Sequence, residues 1–130
     1  MIKIETQLTL FLDNRPGVLA RICQALANVK INLFALSILD AMDHAIVRII
    51  VDKTKEAERV LSDLHQPIQA REVVFMDVSN QVGALVRVAE KLASVGINIE
   101  YAYCTASPNH SEGALVLRTN DREATINALS

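Results

Sequence analysis

Two short runs of this chain combine residue types suited to holding a small molecule with a carboxylate. The first is Asn14-Arg15-Pro16-Gly17-Val18-Leu19, preceded by Asp13. The second is Asn80-Gln81-Val82-Gly83-Ala84-Leu85, preceded by Ser79. In each, a glycine separates a run with strand-like alternation from a run with helical spacing. A helix starting there leaves its first N–H groups without intrahelical partners, and its dipole makes that end partly positive. A carboxylate is a suitable guest for such an end. Gly17 and Gly83 carry no side chain, so a ligand could approach the backbone closely. Asp13, Asn14, Ser79 and Asn80 offer oxygens that accept hydrogen bonds from an ammonium group. A plainer reading uses the same residues. Asparagine before a helix is a common cap, Pro-Gly is common helix-start chemistry, and the glycines would serve helix packing. The local residues leave both readings open.

The two runs belong to a longer duplication. A shift of 66 positions superimposes Asn14, Gly17, Leu19 and Arg21 on Asn80, Gly83, Leu85 and Arg87. The same shift matches Leu26, Ala27, Val29, Ile31 and Asn32 with Leu92, Ala93, Val95, Ile97 and Asn98. This period exceeds the roughly 20–50 residues of solenoid units, so it marks two copies of a small domain. We place them at residues 1–70 and 71–130.

Little else in the sequence suggests chemistry. No Ser-His-Asp, Cys-His or paired-carboxylate pattern is visible, and the long glycine-rich motifs of nucleotide binding are absent. His44 and His110 fall in hairpin loops and His65 at a helix end, none with a second ligand at metal spacing. Cys23 and Cys104 lie far apart and read as buried free thiols in a reducing cytoplasm. Glu100 stands where the first copy has Phe34, and either faces water or meets a ligand ammonium. We therefore expect no catalytic residues, no metal and no cofactor.

The elements that must position the glycine loops follow from periodicity. Leu8, Leu10 and Leu12 alternate as in a strand. Val18, Leu19, Ile22, Cys23, Leu26 and Val29 then form one apolar helical stripe, with Pro16 tolerated in its first turn. Residues 31–39 and 45–51 read as a hairpin around Asp40–His44. A second helix spans residues 53–64 and stops before Pro67. Residues 68–78 supply a closing strand, the first strand of the second copy, or both. The second copy repeats the scheme with strand 73–78, helix 83–95, hairpin strands 97–105 and 113–119, and helix 122–129.

The composition adds boundaries. The chain has 130 residues, a net charge of -2 and 51% hydrophobic residues. No basic patch suggests nucleic acid, and no apolar run reaches the roughly 18 residues that cross a membrane. MIKIETQLTLFL alternates like a strand, unlike a signal peptide, which points to the cytoplasm. A unit of about 65 residues is marginal alone, so the copies should share a core or pair with another chain. No Gly- or Ser-rich linker separates them, which predicts a rigid junction. No strand follows residues 122–129, so the second copy lacks its own last strand. Residues 31–39 and 45–51 are apolar on both faces, although helices cover only one. We expect a homodimer, or the two halves folding face to face, to cover the other.

A duplicated βαββαβ unit, with Asn-x-Pro-Gly-x-Leu leaving the first strand and Ile-Asn opening the second, resembles the ACT domain. The match covers nearly the whole chain as two tandem copies. The first copy, with Asn14 to Leu19 and Val29-Lys30-Ile31-Asn32, keeps the pattern better than the second, with Val95-Gly96-Ile97-Asn98. The resemblance implies an α+β fold of two ferredoxin-like units, with antiparallel sheets and helices on one face. It also implies a free-standing regulatory protein that binds a free amino acid and controls an enzyme of amino-acid metabolism. Family sites often form where the second strand of one module closes over its neighbour's loop. That role falls to Asn32-Leu33 and Asn98-Ile99. The ligand-binding set is thus Asp13, Asn14, Arg15, Pro16, Gly17, Val18, Leu19, Asn32, Leu33, Asn80, Gln81, Gly83, Ala84, Leu85, Asn98 and Ile99.

Two other functions compete with the sensor reading. One is a structural protein whose open sheet edge docks a partner subunit without any small ligand. The other is RNA binding, since some RNA-recognition domains share this element order. Those domains carry aromatics on central strands; the counterparts here, AIVRIIV and GALVLRT, carry none.

Overall fold

A computed structural model describes all 130 residues. The first half contains β1 (Ile2–Asp13), α1 (Val18–Asn28), β2 (Leu33–Ala41), β3 (His44–Val51) and α2 (Thr54–Asp63). The second contains β4 (Ile68–Ser79), α3 (Ala84–Ser94), β5 (Ile99–Thr105), β6 (Glu112–Thr119) and α4 (Arg122–Leu129). This is the expected α+β order, with antiparallel strand pairs and four helices. The chain divides into two compact units, Thr6–Arg71 and Met1–Glu5 with Glu72–Ser130. No helix is long and apolar enough to cross a membrane.

In the unit Thr6–Arg71, β3 runs antiparallel between β1 and β2, with Leu10 opposite Val47 and Leu36 opposite Ile49. Opposite residues share a face, so Leu8, Leu10, Leu12, Val47 and Ile49 form one apolar surface. Ile22 and Leu26 of α1 and Ala57 and Leu61 of α2 close over it. Ile68, from the start of β4, packs on the same core.

The other unit repeats this arrangement with β6 between β4 and β5. Its core joins Val74, Val88, Leu92, Ile97, Leu115 and Leu117. Ile2 and Ile4 pack against that core, and the Asp77 amide donates to the Met1 carbonyl at 3.0 Å. The start of β1 therefore stands where this copy has no strand after α4. The cause is strand length. β1 and β4 each extend over 12 residues without a breaker, so each contributes to both units.

Three helices stop by the same device. The Ile31 and Lys30 amides donate to the Leu26 and Ala27 carbonyls, with Lys30 in the left-handed region at φ +60°. Gly96 at φ +74° does the same after α3, and His65 at φ +55° after α2. These are Schellman ends. The stop after α2 thus comes from His65, two residues before Pro67.

Ile50, Val73 and Val116 lie on strand faces turned away from the helices, yet they are at most 1% exposed. Leu39, on the same side of β2 as Ala35, remains half-exposed. One expectation changes at this level, that of buried thiols. Neither cysteine is buried: Cys23 is half-buried and Cys104 is exposed. Cys104 lies on β5, an edge strand whose outer side has no neighbouring strand.

Candidate functional site

Both strand-to-helix loops end in a glycine that opens the helix. Gly17 has φ +88° and Gly83 φ +85°, and neither helix receives a side-chain cap at that position. This left-handed geometry strains any residue with a Cβ, which explains the glycine. Packing does not require it in the first copy, where a Cβ on Gly17 would meet nothing within 4 Å. At Gly83 such an atom would lie 3.5 Å from the Arg87 guanidinium. The space above the start of α1 is open.

The asparagines do not cap the helices. The Asn14 side-chain amide donates to Asp40 Oδ1 and to the Met42 carbonyl, each at 2.9 Å. Its backbone N–H donates to the Asp43 carbonyl at 3.0 Å. Asn80 repeats the pattern, donating from its side chain to the Ser107 and His110 carbonyls at 2.7 and 2.8 Å. Its backbone N–H reaches the Ser111 carbonyl at 2.9 Å. Each asparagine fastens a glycine loop to the tip of the adjacent hairpin. The Nδ2 donors are engaged there, while each amide oxygen keeps its acceptor capacity.

Beside each loop lies a hollow. The first, about 400 Å³, is lined by Phe11, Asp13, Arg15, Val18, Arg21, Ile22, His44, Gln66 and Pro67. Arg15 approaches Asp13 at 3.6 Å, and both are exposed. The second, about 220 Å³, includes Asp77, Ser79, Ala84, Arg87, Val88 and Lys91. Asp13, Val18, Arg21 and Ile22 become Ser79, Ala84, Arg87 and Val88 under the 66-residue shift. The two hollows thus share these equivalent positions.

The remaining expected residues fall outside these hollows. The Asn32 backbone N–H donates to Asp52 Oδ1 at 3.0 Å, and the Asn98 backbone N–H to Asn120 Oδ1 at 3.1 Å. Leu33 and Ile99 pack on the two cores. Leu85 and Ile99 also line a separate apolar cleft of about 200 Å³ between α3 and the β5–β6 hairpin. Pro16 and Gln81 are exposed. Glu100 is engaged by Arg118, whose Nε donates at 3.1 Å.

Sequence reasoning overlooked Arg21, Arg87 and His44 as lining residues. The signal for the arginines was present, because they match across the repeat. His44 had no such sign as a neighbour of Asp13, since the hairpin alone brings it there.

Comparison with known proteins places this chain in a wider group. A family model described as an ACT domain pair matches residues 3–129. A structure from Bacteroides thetaiotaomicron is 33% identical, with a TM-score of 0.91, over 98% of this chain and 88% of that one. The ligand-free regulatory subunit of aspartate kinase from Thermus thermophilus is 18% identical, with a TM-score of 0.72, over 98% and 93%. Aspartate kinase from Synechocystis is 22% identical, with a TM-score of 0.67, over 99% of this chain and 26% of that one. The search of curated proteins gives no match.

Proposed function

We propose that this chain, which belongs to the ACT-domain family as a tandem pair, is a regulatory module that binds a free amino acid at its glycine loops. The observation that carries the reading is the duplicated site. In both copies a left-handed glycine opens a helix beside a hollow with charged walls. The helix amides can take a carboxylate, while Asp13 and the oxygens of Asn14, Ser79 and Asn80 can take an ammonium. The name of the Thermus thermophilus neighbour, a regulatory subunit of aspartate kinase, supports a role beside an enzyme of amino-acid metabolism. On this reading the protein works in the cytoplasm as a homodimer, with Asn32-Leu33 and Asn98-Ile99 closing over a neighbouring loop.

A second reading, docking without a ligand, draws on one observation. β2 is an edge strand, and Phe34, Leu36, Ile38 and Leu39 are exposed along it. An apolar open edge is a pairing surface. Sedimentation velocity with each of the twenty amino acids tests the regulatory reading. A change in association with one or a few of them is expected. Unaltered sedimentation with all twenty would remove the switch through self-association.

A further inference from the structure

Between residues 14–33 and their counterparts 80–99, three polar pairs are identical: Asn14 with Asn80, Arg21 with Arg87, and Asn32 with Asn98. The Asn14 and Asn80 side chains have structural work, described above, while Asn32 and Asn98 are held through their backbone N–H groups. The arginine side chains have no partner within the chain. Neither Arg21 nor Arg87 makes an ion pair or a side-chain hydrogen bond within the chain. Their backbones are fixed, with the Arg21 amide donating to the Gly17 carbonyl at 3.0 Å and the Arg87 amide to the Gly83 carbonyl at 3.1 Å. Each guanidinium therefore leaves a defined point on its helix and lines the hollow there.

The charges around them also agree. The first hollow holds Arg15 and Arg21 against Asp13, and the second Arg87 and Lys91 against Asp77. Each hollow thus carries two cationic side chains and one anionic one. Asp13 is approached by Arg15, and Asp77 by the Met1 ammonium at 3.2 Å, which leaves both helix arginines uncompensated. A planar guanidinium presents a fork of donors that fits a carboxylate in two parallel hydrogen bonds. Lysine offers only a point charge in the same place.

We propose that Arg21 and Arg87 are carboxylate-binding residues, one in each hollow. This deepens the regulatory reading by assigning the α-carboxylate of the amino acid to a side chain. It rests on that reading for the rest of the ligand, not for its charged end. Substitution of either arginine abolishes capture in its own hollow and leaves the other intact.

The full-length protein, labelled with ¹⁵N, is titrated with sodium acetate, with acetamide as the neutral counterpart and sodium chloride as the salt control. Acetate, unlike the controls, should shift the side-chain Nε–Hε signals of Arg21 and Arg87 and the amides of Val18–Ala20 and Ala84–Val86. Arg21→Gln should remove the first group of amide shifts, and Arg87→Gln the second. Arg21→Lys should keep the charge yet lose about tenfold in affinity, or about 1.4 kcal/mol. Both exposed sites should leave the ligand-free melting temperature unchanged. No acetate shift in the wild type, or shifts that persist in both Gln variants, would overturn the assignment. The two readings separate cleanly. Acetate capture without any response to amino acids would sink the regulatory reading alone. Amino-acid binding undiminished by both Gln substitutions would sink this one alone.

Discussion

The side-chain amide of Asn14 donates to the carbonyl of Met42 at 2.9 Å, tying the loop that enters α1 to the tip of the β2–β3 hairpin. Asn80 makes the same connection in the second copy through Ser107 and His110. The start of the loop that holds the opening glycine is thus fixed twice, by strand β1 and by a hairpin from distant sequence. A group bound in the hollow would sit against a positioned loop and not a mobile one, which lowers the ordering cost of binding.

Replacing Asn14 with Ala should destabilise the protein by about 1–2 kcal/mol, since two side-chain hydrogen bonds are lost at an exposed site. Asn14→Asp should cost more. It removes the donor and brings a carboxylate against Asp40 Oδ1. Urea denaturation of both variants measures the difference, and Asn80→Ala should resemble Asn14→Ala.

The helix ends supply a second comparison. Lys30 and Gly96 occupy equivalent left-handed positions after α1 and α3. A non-glycine residue there pays roughly 1–2 kcal/mol, partly offset by the freedom that glycine adds to the unfolded chain. Lys30→Gly should therefore raise stability by about 0.5–1 kcal/mol, and Gly96→Lys should lower it by a similar amount. A Cβ at Gly96 would meet nothing within 4 Å, so the effect is conformational and not a clash. Thermal denaturation of both variants reads the two signs.

Gly17 separates folding from binding. Its surroundings are open, so Gly17→Asp should cost roughly 1–2 kcal/mol through backbone strain and still fold. The new carboxylate would stand where a ligand carboxylate is expected. Calorimetric titration with a responding amino acid should show binding in the wild type and loss of the first-copy site in the variant.

Most of the element order was legible because the apolar spacing changes from alternation to helical stripes at each boundary. Arg122–Leu129 matches its expected helix, and the hairpin strands shift by only a few residues. The sharing of β1 between the two units was not legible. IKIETQLTLFLD contains no breaker at Glu5, so nothing in it marks where one unit's sheet ends. The work of Asn14 was hidden for a different reason. Before a glycine, an asparagine reads as a cap, and only the fold brings Asp40 and Met42 within 2.9 Å of it. His44 came into the hollow the same way. Arg21 and Arg87 were visible as a matched pair, but their lack of partners needed a structure.

The central claim is that a free amino acid binds at the duplicated loops, and a thermal-shift panel of the twenty amino acids at millimolar concentration tests it most directly. A ligand at 100 times its dissociation constant adds about 2.7 kcal/mol of stability. The account predicts that one or a few amino acids raise the melting temperature by several degrees, less so in Gly17→Asp. A panel in which no amino acid moves the melting temperature would contradict it.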